Sequence, residues 1–80
     1  MESAEILRQV KAGILRTVQL KDDSTAQIMD TYYENEYSVR FFKEYITEVK
    51  KNSKELKPFR TRTMTKKQLG EFLEENLFHY

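Results

Sequence analysis

The stretch STAQIMDTYYENEYSVRFFKEYI, residues 24–46, decides the fold of this chain. It is rich in Tyr, Phe, Ile, Val and Thr, which are residues that favour strands. Its apolar positions nevertheless continue at helical intervals of i, i+3, i+7 and i+10, occupied by Val39, Phe42, Ile46 and Val49. A helix places residues at this spacing on one face, whereas a strand does not. The spacing therefore predicts helices, and strands over 24–49 are the alternative interpretation.

Helix-start signals lie on both sides of a polar break in this stretch. Ser24 and Gln27 match a capping box, in which each side chain satisfies a backbone donor of the other residue. Asn35 suits either a tight turn or the cap of a following helix. The sequence thus predicts two short helices joined by a turn, with Tyr32 and Phe42 in the core and with Tyr37 and Phe41 more exposed.

The N-terminal part of the chain predicts a first helix. Ser3 is a suitable N-cap, and Gly13 would loosen the helix end. An apolar stripe follows the cap at helical spacing: Ile6, Leu7, Val10 and Ile14. Val18 and Leu20 then alternate with polar residues, so the next segment is either a short extended piece or a frayed helix end.

The C-terminal part predicts a strand followed by a helix. Pro58 bars a helix at Lys57, and the alternation in FRTRTMT, residues 59–65, suits a short exposed strand. Thr65 and Gln68 form a second possible capping box. The apolar face of the final helix would consist of Leu69, Phe72, Leu73 and Leu77.

Length and composition restrict the range of functions. Eighty residues make one domain, 1–80, and the absence of cysteine excludes disulfides and cysteine-based metal sites. No apolar run is long enough to cross a bilayer and no export signal is present, so we expect a cytoplasmic protein without a membrane partner. His79 lies near the C-terminus, and the chain has no phosphate-binding glycine loop or zinc spacing. We therefore expect neither an enzyme nor a cofactor or metal site.

Charge is unevenly distributed along the chain, although the net charge is only +1. Residues 22–49 hold seven acidic and two basic side chains, whereas residues 50–67 hold one acidic side chain, Glu55, and eight basic ones. The basic members of this segment are Lys50, Lys51, Lys54, Lys57, Arg60, Arg62, Lys66 and Lys67. Such a density of positive charge indicates a phosphate contact or, alternatively, an ordinary solvated loop.

The predicted pair of helices resembles the helix-turn-helix domains of small bacterial and phage regulators. The motif is carried by a polar residue that opens the first helix, an apolar pair, a turn, a cap and an apolar pair three residues apart. These positions are occupied by Thr25, Ile28, Met29, Tyr33, Asn35, Val39 and Phe42. The resemblance implies a mainly α domain with a helix-turn-helix core, a possible short β wing and a C-terminal helix. Met29, Tyr33 and Glu34 depart from the residues that the family prefers.

The resemblance also implies the function of a DNA-binding transcription regulator. The second helix, about 36–50, would lie in the major groove of double-stranded DNA, and a homodimer would bind two half-sites. Four residues of this helix would contact bases or phosphates: Tyr37, Ser38, Arg40 and Lys43. Others would follow the DNA backbone: Lys50, Lys51, Lys54, Arg60 and Arg62.

Each of these assignments has an alternative. Arg40 can instead form an ion pair with Glu44, and Arg60 and Arg62 can protect a strand edge from unwanted pairing. Exposed aromatic residues can stack on single-stranded bases or anchor a partner protein. The alternative function is a protein-binding inhibitor or adaptor of a larger complex, which the acidic residues Glu36 and Glu44 favour.

Overall fold

The computed structural model describes residues 2–79, which form three helices and four strands. The elements are α1 (Glu2–Lys11), β1 (Arg16–Gln19), β2 (Thr25–Asp30), β3 (Glu36–Phe42), α2 (Ile46–Asn52), β4 (Arg60–Thr65) and α3 (Lys66–Asn76). The strands form one antiparallel sheet in the order β1-β2-β3-β4. The fold is therefore α+β, and the predicted mainly α fold is wrong.

The main core lies between one face of the sheet, here called the helix face, and the helices α1 and α3, which contact each other. Strand register places Ala26 opposite Phe41 and Ile28 opposite Val39, so their side chains share this face. Helix side chains complete the core: Ile6, Leu7, Val10, Leu69 and Leu73. Burial of these apolar side chains is the main source of stability in a domain without disulfides.

A smaller core lies on the opposite face of the sheet, here called the open face. Phe42 and Val49 are both fully buried there, outside the main cluster. Two hydrogen bonds hold α2 in place: the Thr25 hydroxyl donates to the carbonyl of Glu44 at 2.8 Å, and the amide of Ile46 donates to Gln19 Oε1 at 3.0 Å. Helix α2 therefore covers one end of the open face and leaves the rest exposed.

The predicted second helix, 36–50, is strand β3 followed by a loop and α2. Its apolar spacing arises because both faces of β3 are partly covered. Val39 points to the helix face, Phe42 points to the open face beneath α2, and Val49 belongs to α2 itself. Residues on opposite sides of a strand thus imitate the spacing of one helical stripe.

The predicted helix start at Ser24 is a turn between β1 and β2. The Asp22 carboxylate accepts hydrogen bonds from the amide and the hydroxyl of Ser24, and Asp23 has φ +70. Asp and Ser favour helix caps and tight turns for the same reason, which is that their short side chains bond to nearby backbone groups. The capping pattern at Ser24 and Gln27 was therefore misinterpreted.

Three local predictions are confirmed. Helix α1 buries Ile6, Leu7 and Val10, although Ser3 lies inside the helix and is not its N-cap, and Ile14 lies beyond its end and is exposed. Gly13, with φ +93, allows its own amide and that of Ile14 to bond to the last carbonyls of the helix. The exposed strand β4 forms as predicted, and both bonds of the capping box at Thr65 and Gln68 are present.

Candidate nucleic-acid interface

The eight basic side chains of 50–67 lie on α2, the loop after it, β4 and the first turn of α3. All eight are exposed, and within residues 2–79 none of them forms an ion pair or a side-chain hydrogen bond. The ion pairs lie elsewhere, between Arg8 and Glu5 and between Lys11 and Asp30, and His79 Nδ1 lies 4.0 Å from Glu2 Oε2. The segment predicted from charge alone is therefore an exposed surface whose basic side chains form no ion pair within the described residues.

Strand β4 positions two of these cations. It is an edge strand, paired with β3 on one side only. Arg60 lies opposite Phe41 and Arg62 opposite Val39, so both arginines project from the margin of the helix face. Their Cα atoms are about 6.6 Å apart along the strand, because each strand residue advances the chain by about 3.3 Å. The two guanidinium groups thus form a short row beside the helices.

An aromatic ring lies at the start of the same strand. Phe59 is 51% exposed, and its amide donates to the carbonyl of Phe41 at 2.9 Å. Its ring centroid lies 6.4 Å from that of Phe41, and Phe41 in turn makes a T-shaped contact with Phe72 at 5.6 Å. Lys43 Nζ lies 5.8 Å from the Phe59 centroid. Lys43, Lys57, Phe59, Arg60 and Arg62 together form a surface that we call the β4 edge surface.

Phe59 was not among the site residues predicted from the sequence. The sequence pattern predicts only that it is the first residue of an alternating strand. The signal that could have found it is local, because Phe59 stands directly between Pro58 and Arg60, within a segment that has one acidic residue. An apolar ring in such a segment has little chance of being covered by the core.

The structure separates the residues predicted for the DNA-reading helix. Tyr37 is 2% exposed and points to the helix face, so its side chain lies in the core rather than on the surface. Phe41 is also buried, whereas Tyr32, predicted to be in the core, is 98% exposed at the tip of the β2–β3 hairpin. Ser38 and Arg40 point to the open face. These residues therefore form no continuous groove-reading surface.

Arg40 does not form the expected ion pair with Glu44. Its Nη2 donates to the Met29 sulfur at 2.9 Å, while Arg40 Nε and Glu44 Oε1 are buried without a hydrogen-bond partner in the described part of the chain. Most of Arg40 is thus held against the open face. A guanidinium in this position is less available to a base edge than the exposed arginines of β4.

Lys11 connects the end of α1 to the β2–β3 hairpin. Its ammonium donates to Asp30 Oδ1 at 2.6 Å, to the carbonyl of Tyr33 at 2.9 Å and to that of Glu36 at 2.8 Å. It also lies 4.6 Å from the centroid of Tyr37. The hydrogen bond from Lys11 lowers the pKa of Asp30, and burial raises the pKa of Tyr37. The ammonium of Lys11 is therefore occupied by contacts within the protein and is not part of the exposed basic surface.

A groove of about 730 Å³ runs between α1 and α3. Leu7, Tyr37 and Gly70 contribute to its lining. Its charged lining includes Lys66 and Lys67 as well as Glu71 and Glu74, so both signs of charge are present. Through Lys66 and Lys67 the groove adjoins the basic segment.

No cluster of three or more His, Cys, Asp or Glu side chains that could hold a metal occurs within residues 2–79. None of the helices over the same range is long and apolar enough to cross a membrane.

Comparison of the chain with protein-family models, with curated proteins and with solved structures gave no match.

Proposed function

We propose that this protein binds nucleic acid through the phosphate backbone and has no catalytic activity of its own. The observation that carries the proposal is the set of eight exposed basic side chains in 50–67, none of which is paired within residues 2–79. A cytoplasmic location, where nucleic acid is accessible, is part of the proposal. Recognition by a helix in the major groove is not, because the residues required for that helix form β3.

Repulsion among these cations favours a polyanionic ligand. Arg60 and Arg62 are separated by about 6.6 Å along β4, which is less than the Debye length of roughly 8 Å at physiological salt. Their mutual repulsion is therefore only partly screened, and a row of phosphates would relieve it. Protection of the strand edge needs only an occasional charge. It does not account for cations that continue through α2, the loop and the start of α3.

Binding measured by fluorescence anisotropy at two salt concentrations tests this function. If about half of the eight cations contact phosphates, affinity should fall about fiftyfold for a single strand and about 150-fold for a duplex between 50 and 200 mM salt. Absence of binding to both ligands at the lower salt concentration would refute the proposal.

Two double charge-reversal variants, one on β4 and one elsewhere, distinguish binding by β4 from a general effect of net charge. The double variant Arg60→Glu, Arg62→Glu should lower the magnitude of the salt slope for a single strand by about 1.4, which corresponds to two lost phosphate contacts. The control Arg8→Glu, Lys21→Glu makes the same change in net charge at exposed positions outside the basic segment. Equal losses in both double variants would show that binding does not depend on β4.

Binding of a partner protein is the second candidate function, and a different surface favours it. Ile14, Leu15, Tyr32 and Tyr33 are exposed on two loops at the end of the sheet remote from Phe59. Exposed apolar groups that lie together indicate a protein contact. Leu15→Ser combined with Tyr33→Ser should abolish association with a partner or a second copy and leave nucleic-acid binding unchanged. Size-exclusion chromatography measures self-association directly.

A further inference from the structure

We infer that the nucleic acid bound by the β4 edge surface is single-stranded and that one of its bases stacks on Phe59. The inference rests on the proposed function and specifies its ligand. Three features of the structure carry it, namely the fixed ring of Phe59, the cations near that ring and the acidic surroundings of the exposed Tyr32 and Tyr33.

The Phe59 ring is exposed and yet held in place. Its backbone amide is bonded to Phe41, and its ring rests at a tilt of 48° against that of Phe41. Phe41 is itself buried and packs against Phe72. Pro58 restricts the chain immediately before the ring. A base can therefore stack on Phe59 with little further loss of conformational freedom.

One cation lies over the ring and two more lie close to it in the chain. Lys43 lies over the ring at 5.8 Å, and Lys57 and Arg60 are close neighbours in the chain. An exposed cation–π contact is worth about two- to fivefold in an equilibrium constant, whereas stacking of a base on an aromatic side chain is worth about five- to 150-fold. A base should therefore replace the ammonium of Lys43, which is then free to contact a phosphate.

A duplex would gain little from this ring. Its bases are already paired and stacked within the helix, so Phe59 could contact only sugar and phosphate. A single strand offers both unpaired bases and phosphates. A base can stack on the ring of Phe59 while neighbouring phosphates contact Arg60 and Arg62. The β4 edge surface therefore fits a single strand better than a duplex.

Two of the other exposed aromatic side chains, Tyr32 and Tyr33, lie in acidic surroundings. Tyr32 and Tyr33 stand at the hairpin that carries Asp30, Glu34 and Glu36. A phosphate chain would be repelled there. Tyr33, which is 65% exposed, is therefore a matched control for Phe59.

Tryptophan fluorescence provides the test, because the natural chain contains no tryptophan. In Phe59→Trp, saturating oligothymidine of about 12 nucleotides should quench the emission of the new indole, while a duplex should not. In Tyr33→Trp the same oligonucleotide should leave the emission unchanged. Stacking at position 59 thus has a readout that does not depend on overall affinity.

Affinity measurements complete the test. Phe59→Leu, which retains an apolar contact with Phe41 but lacks an aromatic face, should weaken single-strand binding about five- to 150-fold and alter duplex binding less than twofold. Circular dichroism establishes that the variant is folded. Unchanged emission of Phe59→Trp, together with equal effects of Phe59→Leu on both ligands, would overturn the stacking and leave the proposed function intact. Failure of the natural protein to bind either ligand would overturn both.

Discussion

Replacing Lys11 by methionine should destabilise the fold by about 2 kcal/mol, because it removes hydrogen bonds to two backbone carbonyls. Methionine retains the apolar stem of the side chain but cannot donate to the carbonyls of Tyr33 and Glu36, which accept from Lys11 Nζ at 2.9 and 2.8 Å. Each bond contributes about 1 kcal/mol. The ion pair with Asp30 adds little to the free energy of unfolding, because that carboxylate is exposed to solvent.

The consequence for thermal stability is large for so small a domain. A protein of 80 residues has a total stability of roughly 4 to 12 kcal/mol. A loss of about 2 kcal/mol should lower the melting temperature by roughly 8 to 16 °C. Lys21→Met is the control, because Lys21 is exposed and its side chain has no hydrogen bond or ion pair within residues 2–79. It should melt within about 2 °C of the natural protein.

The same variant should also change the acid dependence of stability. In the natural protein the pKa of Asp30 lies below its ordinary value of 3.8, chiefly because Lys11 donates a hydrogen bond to it. A lowered pKa in the folded state adds stability above pH 3.8, and this contribution is lost as the pH falls through the folded-state value. In Lys11→Met the loss of stability that follows protonation of Asp30 should disappear, because the hydrogen bond that lowers its pKa is absent.

Melting curves followed by circular dichroism at neutral and acidic pH measure both effects. A Lys11→Met variant that melts within about 2 °C of the natural protein would refute the assignment of Lys11 as the link between α1 and the hairpin. So would an acid dependence identical to that of the natural protein.

Three further predictions concern the second core and the two glycines. Phe42→Ala should lower the free energy of unfolding in urea by about 3 to 5 kcal/mol, because the ring is fully buried beneath α2; a loss below about 1 kcal/mol would contradict this placement. Gly13→Ala should destabilise the protein by about 1 to 2 kcal/mol, since Gly13 has φ +93 at the end of α1. Gly70→Ala should instead stabilise α3 by about 0.5 to 1 kcal/mol, because the added Cβ meets only Leu7 Cδ1 at 3.7 Å. A higher melting temperature for Gly13→Ala than for Gly70→Ala would contradict both predictions for the glycines.

Local chemistry explains which parts of the fold could be predicted from the sequence. Helix α3 was predictable because its capping box and apolar spacing lie within one element, and β4 was predictable from its strict alternation. The region 24–46 was not, because its cap residues also serve a turn and because Phe41 and Phe42 are adjacent yet both buried. Their burial depends on α3 and α2, on opposite faces of the sheet. No local pattern contains that information.

The candidate site was predictable to a similar extent. The basic character of 50–67 follows directly from the sequence, and its exposure follows from the low apolar content of the same segment. The position of Tyr37 could not be obtained in this way, since the face on which it lies depends on the register of β3 with its neighbours. The position of Phe59 could not be predicted either, because its ring lies against Phe41, which is itself held by Phe72 of α3.

The local field around β4, rather than the net charge of +1, is the quantity that a ligand experiences. The acidic turn at Asp22 and Asp23 joins β1 and β2, so it lies across the sheet from β4, two to three strands or about 10 to 14 Å away at roughly 4.8 Å per strand. Glu36 at the acidic β2–β3 hairpin lies three residues, or about 10 Å, along β3 from Val39, with which Arg62 pairs. Both distances exceed the Debye length of roughly 8 Å at physiological salt. Screening therefore separates these acidic groups from the β4 edge surface, and the near-zero net charge is compatible with binding to a polyanion.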